Sequence, residues 1–299
     1  MTLRSYLNKE THLSYSPEVL TKKSLELLKR LNKNVKRKNI KKLINHVYYE
    51  AFDVMNPYHN IHHLYEVLQV TTLLIELMPK SRFASSEKTL IQIAALFHDY
   101  KHFGKSNNDW NDYDKSSREG SYHSTLIEDS SMDSFTGIQC TGSFNEYMHF
   151  SRAISVILQY KEDLFPDLSQ VYICELIRTL ILSTNMAKYD SYFKEIKDEP
   201  TKINDMILII KLADISHPLR IFHVHLYWVY KISAEIDTIL LQHDNSQVPT
   251  IDYLAQDTLF FINTFVKPLV DLFTYRYKKS NFIKKCLETN INLWKQMLN

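Results

Sequence analysis

Leu90-Ile91-Gln92-Ile93-Ala94-Ala95-Leu96-Phe97-His98-Asp99 is the stretch that decides the fold. Its apolar run is too crowded for a surface helix and predicts a buried one. The run ends in two adjacent side chains able to ligate a cation. Asp99 buried without a partner would cost several kcal/mol, so a charged partner is expected, and a metal ion supplies one. His102 follows one helical turn later. A second run, Met206-Ile207-Leu208-Ile209-Ile210, repeats the pattern, with Lys211 its one interruption before Leu212-Ala213-Asp214. Two apolar helices that each end in an aspartate make a convergent site.

Working outward, Tyr58-His59-Asn60-Ile61-His62-His63 and Glu119 to His123 also carry His and acid at ligand spacing. If both are helical, His59 and His63 share one face, as two ligands or as one ligand and one acid-base group. Imidazole nitrogen with carboxylate oxygen suits zinc beside a harder divalent ion, and such a pair suits hydrolysis of a phosphate ester. His217, His223, His225 and His243 have no accompanying carboxylate motif and are expected to be ordinary histidines.

The remaining chain reads as helix. Its 299 residues hold 44% hydrophobic residues and four glycines, too few for a fold rich in tight turns. Ser16-Pro17-Glu18 carries the signals of a helix start, and helical periodicity recurs through Leu43–Phe52 and Ile61–Met78. After a polar stretch over 105–142, helices are predicted at about 147–161, 168–184, 203–215, 220–242, 251–277 and 280–298. We expect one all-α domain over 1–299, with a basic helical segment over 1–45 packed on it. The ten basic residues between Lys22 and Lys42 read as solvated helix faces. A formal net charge of +2 gives no field that would gather a nucleic acid polymer. Three dispersed cysteines fit a reducing, cytoplasmic setting. No run reaches the length of a membrane span.

The order His63, His98-Asp99, Asp214 resembles the HD superfamily of metal-dependent phosphohydrolases. Tyr58-His59-Asn60-x-x-His63, His98-Asp99-x-x-His102-x-Gly104-x-x-Asn107 and Ala213-Asp214-Ile215-Ser216-His217-Pro218 resemble the class I 3′,5′-cyclic-nucleotide phosphodiesterase catalytic domain, over about residues 48–268. The resemblance implies a compact multi-helix domain that hydrolyses cyclic AMP, cyclic GMP or both to the 5′-monophosphate. It implies that His63, His98, Asp99 and Asp214 hold zinc, that Asp99 also reaches a magnesium or manganese ion, and that a hydroxide between the ions is the nucleophile. His59 matches the general acid that protonates the departing 3′ oxygen, with Glu119 as the carboxylate that keeps it charged. His102 and Asn107 match positions that order waters and ligands near the metals. Tyr58 falls in the substrate site, and Phe261 matches the ring that stacks on the base.

Four positions depart from the family pattern. Thr258 stands where the purine-reading glutamine is expected, and Gln256 lies two positions too early. Asn185 replaces an aspartate near the metal waters. The Glu119-to-His123 spacing is one residue longer than the family's. Phe260 and Phe265, unlike Phe261, are expected in the core. These departures keep two alternatives open: an HD phosphohydrolase for another phosphoester, and a phosphodiesterase-like protein that binds nucleotide without turning it over. Base preference and oligomeric state stay open on the sequence alone.

Overall fold

The computed structural model describes residues 1–9, 13–50, 56–107, 143–241 and 250–298, among which there is no strand. The helices are α1 (Leu3–Leu7), α2 (Pro17–Leu31), α3 (Arg37–Glu50), α4 (Ile61–Leu77), α5 (Ser85–Phe97), α6 (Phe144–Leu158), α7 (Lys161–Leu164), α8 (Gln170–Leu182), α9 (Tyr189–Asp198), α10 (Lys202–Asp214), α11 (Phe222–Leu241), α12 (Ile251–Phe261), α13 (Lys267–Arg276) and α14 (Phe282–Met297).

Three of them form the centre. α4 is buried continuously from His63 to Ile75, α5 from Thr89 to Phe97 and α10 from Asn204 to Ala213. Both flanking helices pack on α4. Apolar surface on all sides of a helix is stable only when neighbours cover every side, which is what the uninterrupted runs foretold. Inside this packing, Gln92 Nε2 donates to Thr72 Oγ1 (2.8 Å) and to the Leu27 carbonyl (2.9 Å). The N-terminus of α4 and the C-termini of α5 and α10 then meet at one corner.

Helix ends follow their capping chemistry. Asn60 Oδ1 accepts from the backbone of His62 (2.9 Å) and His63 (3.2 Å), so α4 begins at Ile61. His59 therefore lies in the turn before the helix rather than on its face. Glu87 accepts from the Ala84 backbone at 2.8 Å and starts α5 five residues ahead of the apolar run. The helix predicted over 251–277 is divided by a π-helical turn, Ile262–Val266. Pro268 has no N–H and its ring crowds the carbonyl four residues back, and a π-turn relieves both. The short amphipathic α9 lies between the predicted segments. Residues 108–142 of the polar stretch lie outside the described residues.

On the far side of α4, Arg220 is buried and donates to Glu66 (2.6 Å) and to the Lys9 carbonyl (2.7 Å). Ile221 N donates to the Leu7 carbonyl at 2.9 Å. The N-terminal segment is thus tied to the centre by backbone as well as by packing.

Candidate active site

Four donor atoms converge where the three helix ends meet. His98 Nε2 lies 3.3 Å from His63 Nε2, 2.9 Å from Asp99 Oδ2 and 3.2 Å from Asp214 Oδ1. His63 Nε2 lies 3.4 Å from Asp99 Oδ2 and 3.2 Å from Asp214 Oδ1. Four donors about 2.0–2.1 Å from one cation sit roughly 3.3 Å apart in a tetrahedron, so the spacing fits a zinc-sized ion. The ring state fits too. His98 Nδ1 donates to the Ala95 carbonyl (2.8 Å), which leaves the Nε2 lone pair facing the cluster. This set of two imidazoles and two carboxylates, nearly enclosed by protein, is able to hold a divalent cation.

His59 stands beside this cluster, Nε2 3.9 Å from Asp99 Oδ2. Its Nδ1 is hydrogen-bonded to Glu235, whose second oxygen accepts from the backbone of Tyr58 (2.8 Å) and His59 (3.0 Å). Burial lowers the imidazole pKa, yet Asp99 and Glu235 outweigh burial and raise it above its ordinary value. The ring therefore favours its protonated form, with Nδ1 occupied and Nε2 turned toward the cluster. The carboxylate partner of His59 is Glu235; Glu119 lies outside the described residues. Nothing around Glu235 in the sequence marks it, because α11 delivers it from 176 residues away.

Around Asp99 lie further polar groups. The His102 ring stacks on His59 (centroids 3.9 Å apart, 19° between planes), and its Nδ1 accepts from Gly104 N at 2.9 Å. Gly104 has φ +68°, and a Cβ there would sit 2.7 Å from Asn56 Oδ1, so the turn that shapes His102 requires glycine. His149 Nδ1 is 3.7 Å from Asp99 Oδ1. Asn107 donates to both oxygens of Glu146 (3.2 and 3.1 Å) and accepts from Asn145 N (2.8 Å). Glu146 and His149 were missed in the sequence. Their three-residue spacing is one residue shorter than Glu119 to His123, so it is the spacing the resemblance asked for. Asn185 is buried, with Oδ1 accepting from Ala187 N and Nδ2 donating to Ser143 Oγ, both at 2.8 Å. Those bonds cap a turn and tie it to the start of α6. His62 donates to the Tyr15 carbonyl (3.1 Å) and takes no part in the cluster.

The residues expected to bind the base are placed differently from one another. Tyr58 is buried against the rings of His63 (4.7 Å), His59 (4.9 Å) and Trp228 (5.4 Å). Phe261 is half-buried, its ring near-parallel to His217 at 6.1 Å and 5.7 Å from Phe265. Thr258 is buried one turn before it, while Gln256 is exposed. Phe260, expected in the core, is 65% exposed. Adjacent residues on a helix point about 100° apart, so burying part of Phe261 turns Phe260 outward.

Comparison with known proteins gives the family of the chain. The family model of the 3′5′-cyclic nucleotide phosphodiesterases matches residues 58–287, so the chain belongs to that family. Curated relatives include a probable 3′,5′-cyclic phosphodiesterase (pde-1) of Caenorhabditis elegans, 23% identical across 73% of this chain and 35% of its own length. A dual-specificity calcium/calmodulin-dependent 3′,5′-cyclic nucleotide phosphodiesterase 1B of Bos taurus is 24% identical across 75% of this chain and 42% of its own length. The chain thus spans less than half the length of either relative. In fold it is similar to the phosphodiesterase domain of a rhodopsin fusion protein from Salpingoeca rosetta, with a TM-score of 0.78, 21% identity and coverage of 96% of this chain and 93% of that one.

Proposed function

We propose that this chain hydrolyses a 3′,5′-cyclic nucleotide to the 5′-monophosphate, with His63, His98, Asp99 and Asp214 as metal ligands and His59 as the general acid. The observation that carries this reading is the line Glu235–His59–Asp99, which aims a protonated imidazole at a cluster fit for a cation. Two divalent ions, zinc with magnesium or manganese by the donor types, would supply an acidified water and neutralise charge on the phosphate. His59 Nε2–H then gives its proton to the departing 3′ oxygen, and the positive charge it loses had been held by Glu235 at Nδ1. Asp99, with one oxygen among the four donors and the other toward His149, is the ligand suited to reach both ions. His102, Asn107, Glu146 and His149 are suited to orient waters there. Tyr58 and Phe261 would enclose the sugar and base, with Thr258 beneath them. The similarity to 3′,5′-cyclic-nucleotide phosphodiesterases supports the substrate class.

The test is turnover of cyclic AMP and cyclic GMP with added magnesium or manganese, beside His59→Ala and bis(p-nitrophenyl) phosphate. A general-acid role is expected to cost far more on the cyclic nucleotide than on the nitrophenyl ester, whose leaving group needs no proton. Equal cyclic-nucleotide turnover by wild type and His59→Ala would sink the reading. Turnover of a linear phosphoester alone would replace it with the broader HD phosphohydrolase reading.

A further inference from the structure

Charge is unevenly spread along this chain. Ten of its 36 basic residues but one of its 34 acidic ones lie between Lys22 and Lys42, a net of +9 there against −7 over the remainder. Sequence spacing gives only solvated helix faces; the fold puts two of them side by side. α2 and α3 run antiparallel, with Ser24 Oγ 2.7 Å from Tyr48 Oη and Tyr49 bonded to Glu18. Lys22 and Lys29 lie two turns apart on α2, Lys33 occupies the connecting turn, and Lys38 lies one turn from both Lys41 and Lys42 on α3.

All six lysines are exposed or half-exposed, and none has an ion pair or hydrogen bond among the described residues. Their neighbours differ: Arg30 is paired with Glu76 of α4, Lys36 with Asp163 (3.3 Å), and Lys23 lies over the Tyr15 ring (5.3 Å). Against the six the same stretch offers one acid, Glu26. The inner side of the hairpin packs on α4 and α5, so the lysines form a plate, about 22 Å long by the rise of α2, rather than a pocket.

We propose that the α2–α3 hairpin docks on a membrane leaflet that carries anionic phospholipid. Lysine is a point charge without the planar fork that reads one phosphate bidentately, so a lysine plate suits diffuse negative charge. It has no row of exposed rings on which the bases of a single strand could stack. Its one exposed ring among the described residues, Tyr49, stands with exposed Val19 at the end away from the turn, and both suit the headgroup boundary of a bilayer. The excess of acid over the rest of the chain turns the other faces away from the same leaflet, which orients the domain. The inference stands apart from the hydrolytic reading, since none of these residues enters the site.

The experiment is co-sedimentation of the full chain with vesicles of phosphatidylcholine alone and of phosphatidylcholine mixed with phosphatidylserine. It is run at low salt and at about 0.5 M sodium chloride, where exposed charges are screened within a few ångström. Binding is expected only to the mixed vesicles at low salt. Each lysine near an anionic leaflet contributes roughly a fivefold factor in partitioning, so Lys29→Gln, Lys33→Gln, Lys38→Gln and Lys41→Gln together are expected to weaken binding about 100-fold or more. A matched variant, Lys194→Gln, Lys197→Gln, Lys279→Gln and Lys285→Gln, removes as many exposed charges elsewhere and is expected to bind like wild type. Both variants are expected to keep the wild-type circular dichroism spectrum. Equal binding to the two kinds of vesicle overturns the proposal, as does an equal loss in the two variants, which would make net charge the cause. Tighter binding to a duplex or single-stranded oligonucleotide than to the mixed vesicles at the same salt overturns it in favour of a nucleic acid partner.

Discussion

The metal corner and the base corner of this site are built to different tolerances. At the metal corner every donor is buried or nearly so, each comes from the end of a rigid helix or the turn beside it, and neighbouring donors are 2.9–3.4 Å apart. At the base corner Phe261 is half-buried, Phe260 is 65% exposed, Gln256 faces solvent and a π-turn follows directly. A divalent cation accepts few donor types at short, fixed distances, so the residues are dictated. A purine ring is held by stacking and a few hydrogen bonds, for which many side-chain combinations serve. Chemistry is therefore the rigid part of this protein, and recognition the variable part.

Substitutions can break that contrast in graded steps. Asp214→Asn is expected to bring turnover to background and cut metal content measured by elemental analysis, exceeding the roughly 10–100-fold losses that follow removal of an outer partner. Full metal occupancy with full activity would show the corner is looser than described. His59→Ala is expected to retain metal and lose about 10²–10⁴-fold in kcat on cyclic nucleotide.

Glu235→Gln should act through pH. His59 must be protonated to serve as the acid, so kcat/KM falls as pH rises through its pKa, which Asp99 and Glu235 hold above the ordinary 6.5 against burial. Without the Glu235 charge the falloff is expected to move to lower pH, with a loss of roughly tenfold at pH 7.5. An unmoved profile would detach Glu235 from the general acid. The smallest effects belong to the base corner. Gln256→Ala is expected to change kcat/KM less than about twofold, since the side chain is exposed, while Thr258→Gln is expected to shift the ratio of cyclic GMP to cyclic AMP turnover by a few-fold. A large effect of Gln256→Ala would mean that recognition reaches further along α12 than the wall of Tyr58 and Phe261.

Of the proposed metal ligands, His98, Asp99 and Asp214 were legible because each follows a continuous apolar run that must be buried, ended by a residue that cannot be buried alone, whereas His63 was read from its spacing to His59 and from the family resemblance. The helix start at Pro17 was legible for a similar reason, since Ser16-Pro17-Glu18 is read within a few residues. Glu146 and His149 had a readable spacing but no apolar run pointing into the site. Phe260 misled because an aromatic beside another aromatic reads as core, while a helix can bury only one of the two.

By itself the sequence determined an all-α chain with His and Asp at ligand spacing, since periodicity and ligand type are local properties of neighbouring residues, and the proton-donor role of His59 came from the family resemblance. Only the tertiary structure decided which carboxylate meets His59, and that Trp294 on α14 donates to His225 on α11. Those pairings join α11, α14 and the turn before α4, and hydrogen-bond partners 176 and 69 residues apart leave no periodic trace in the chain that makes them.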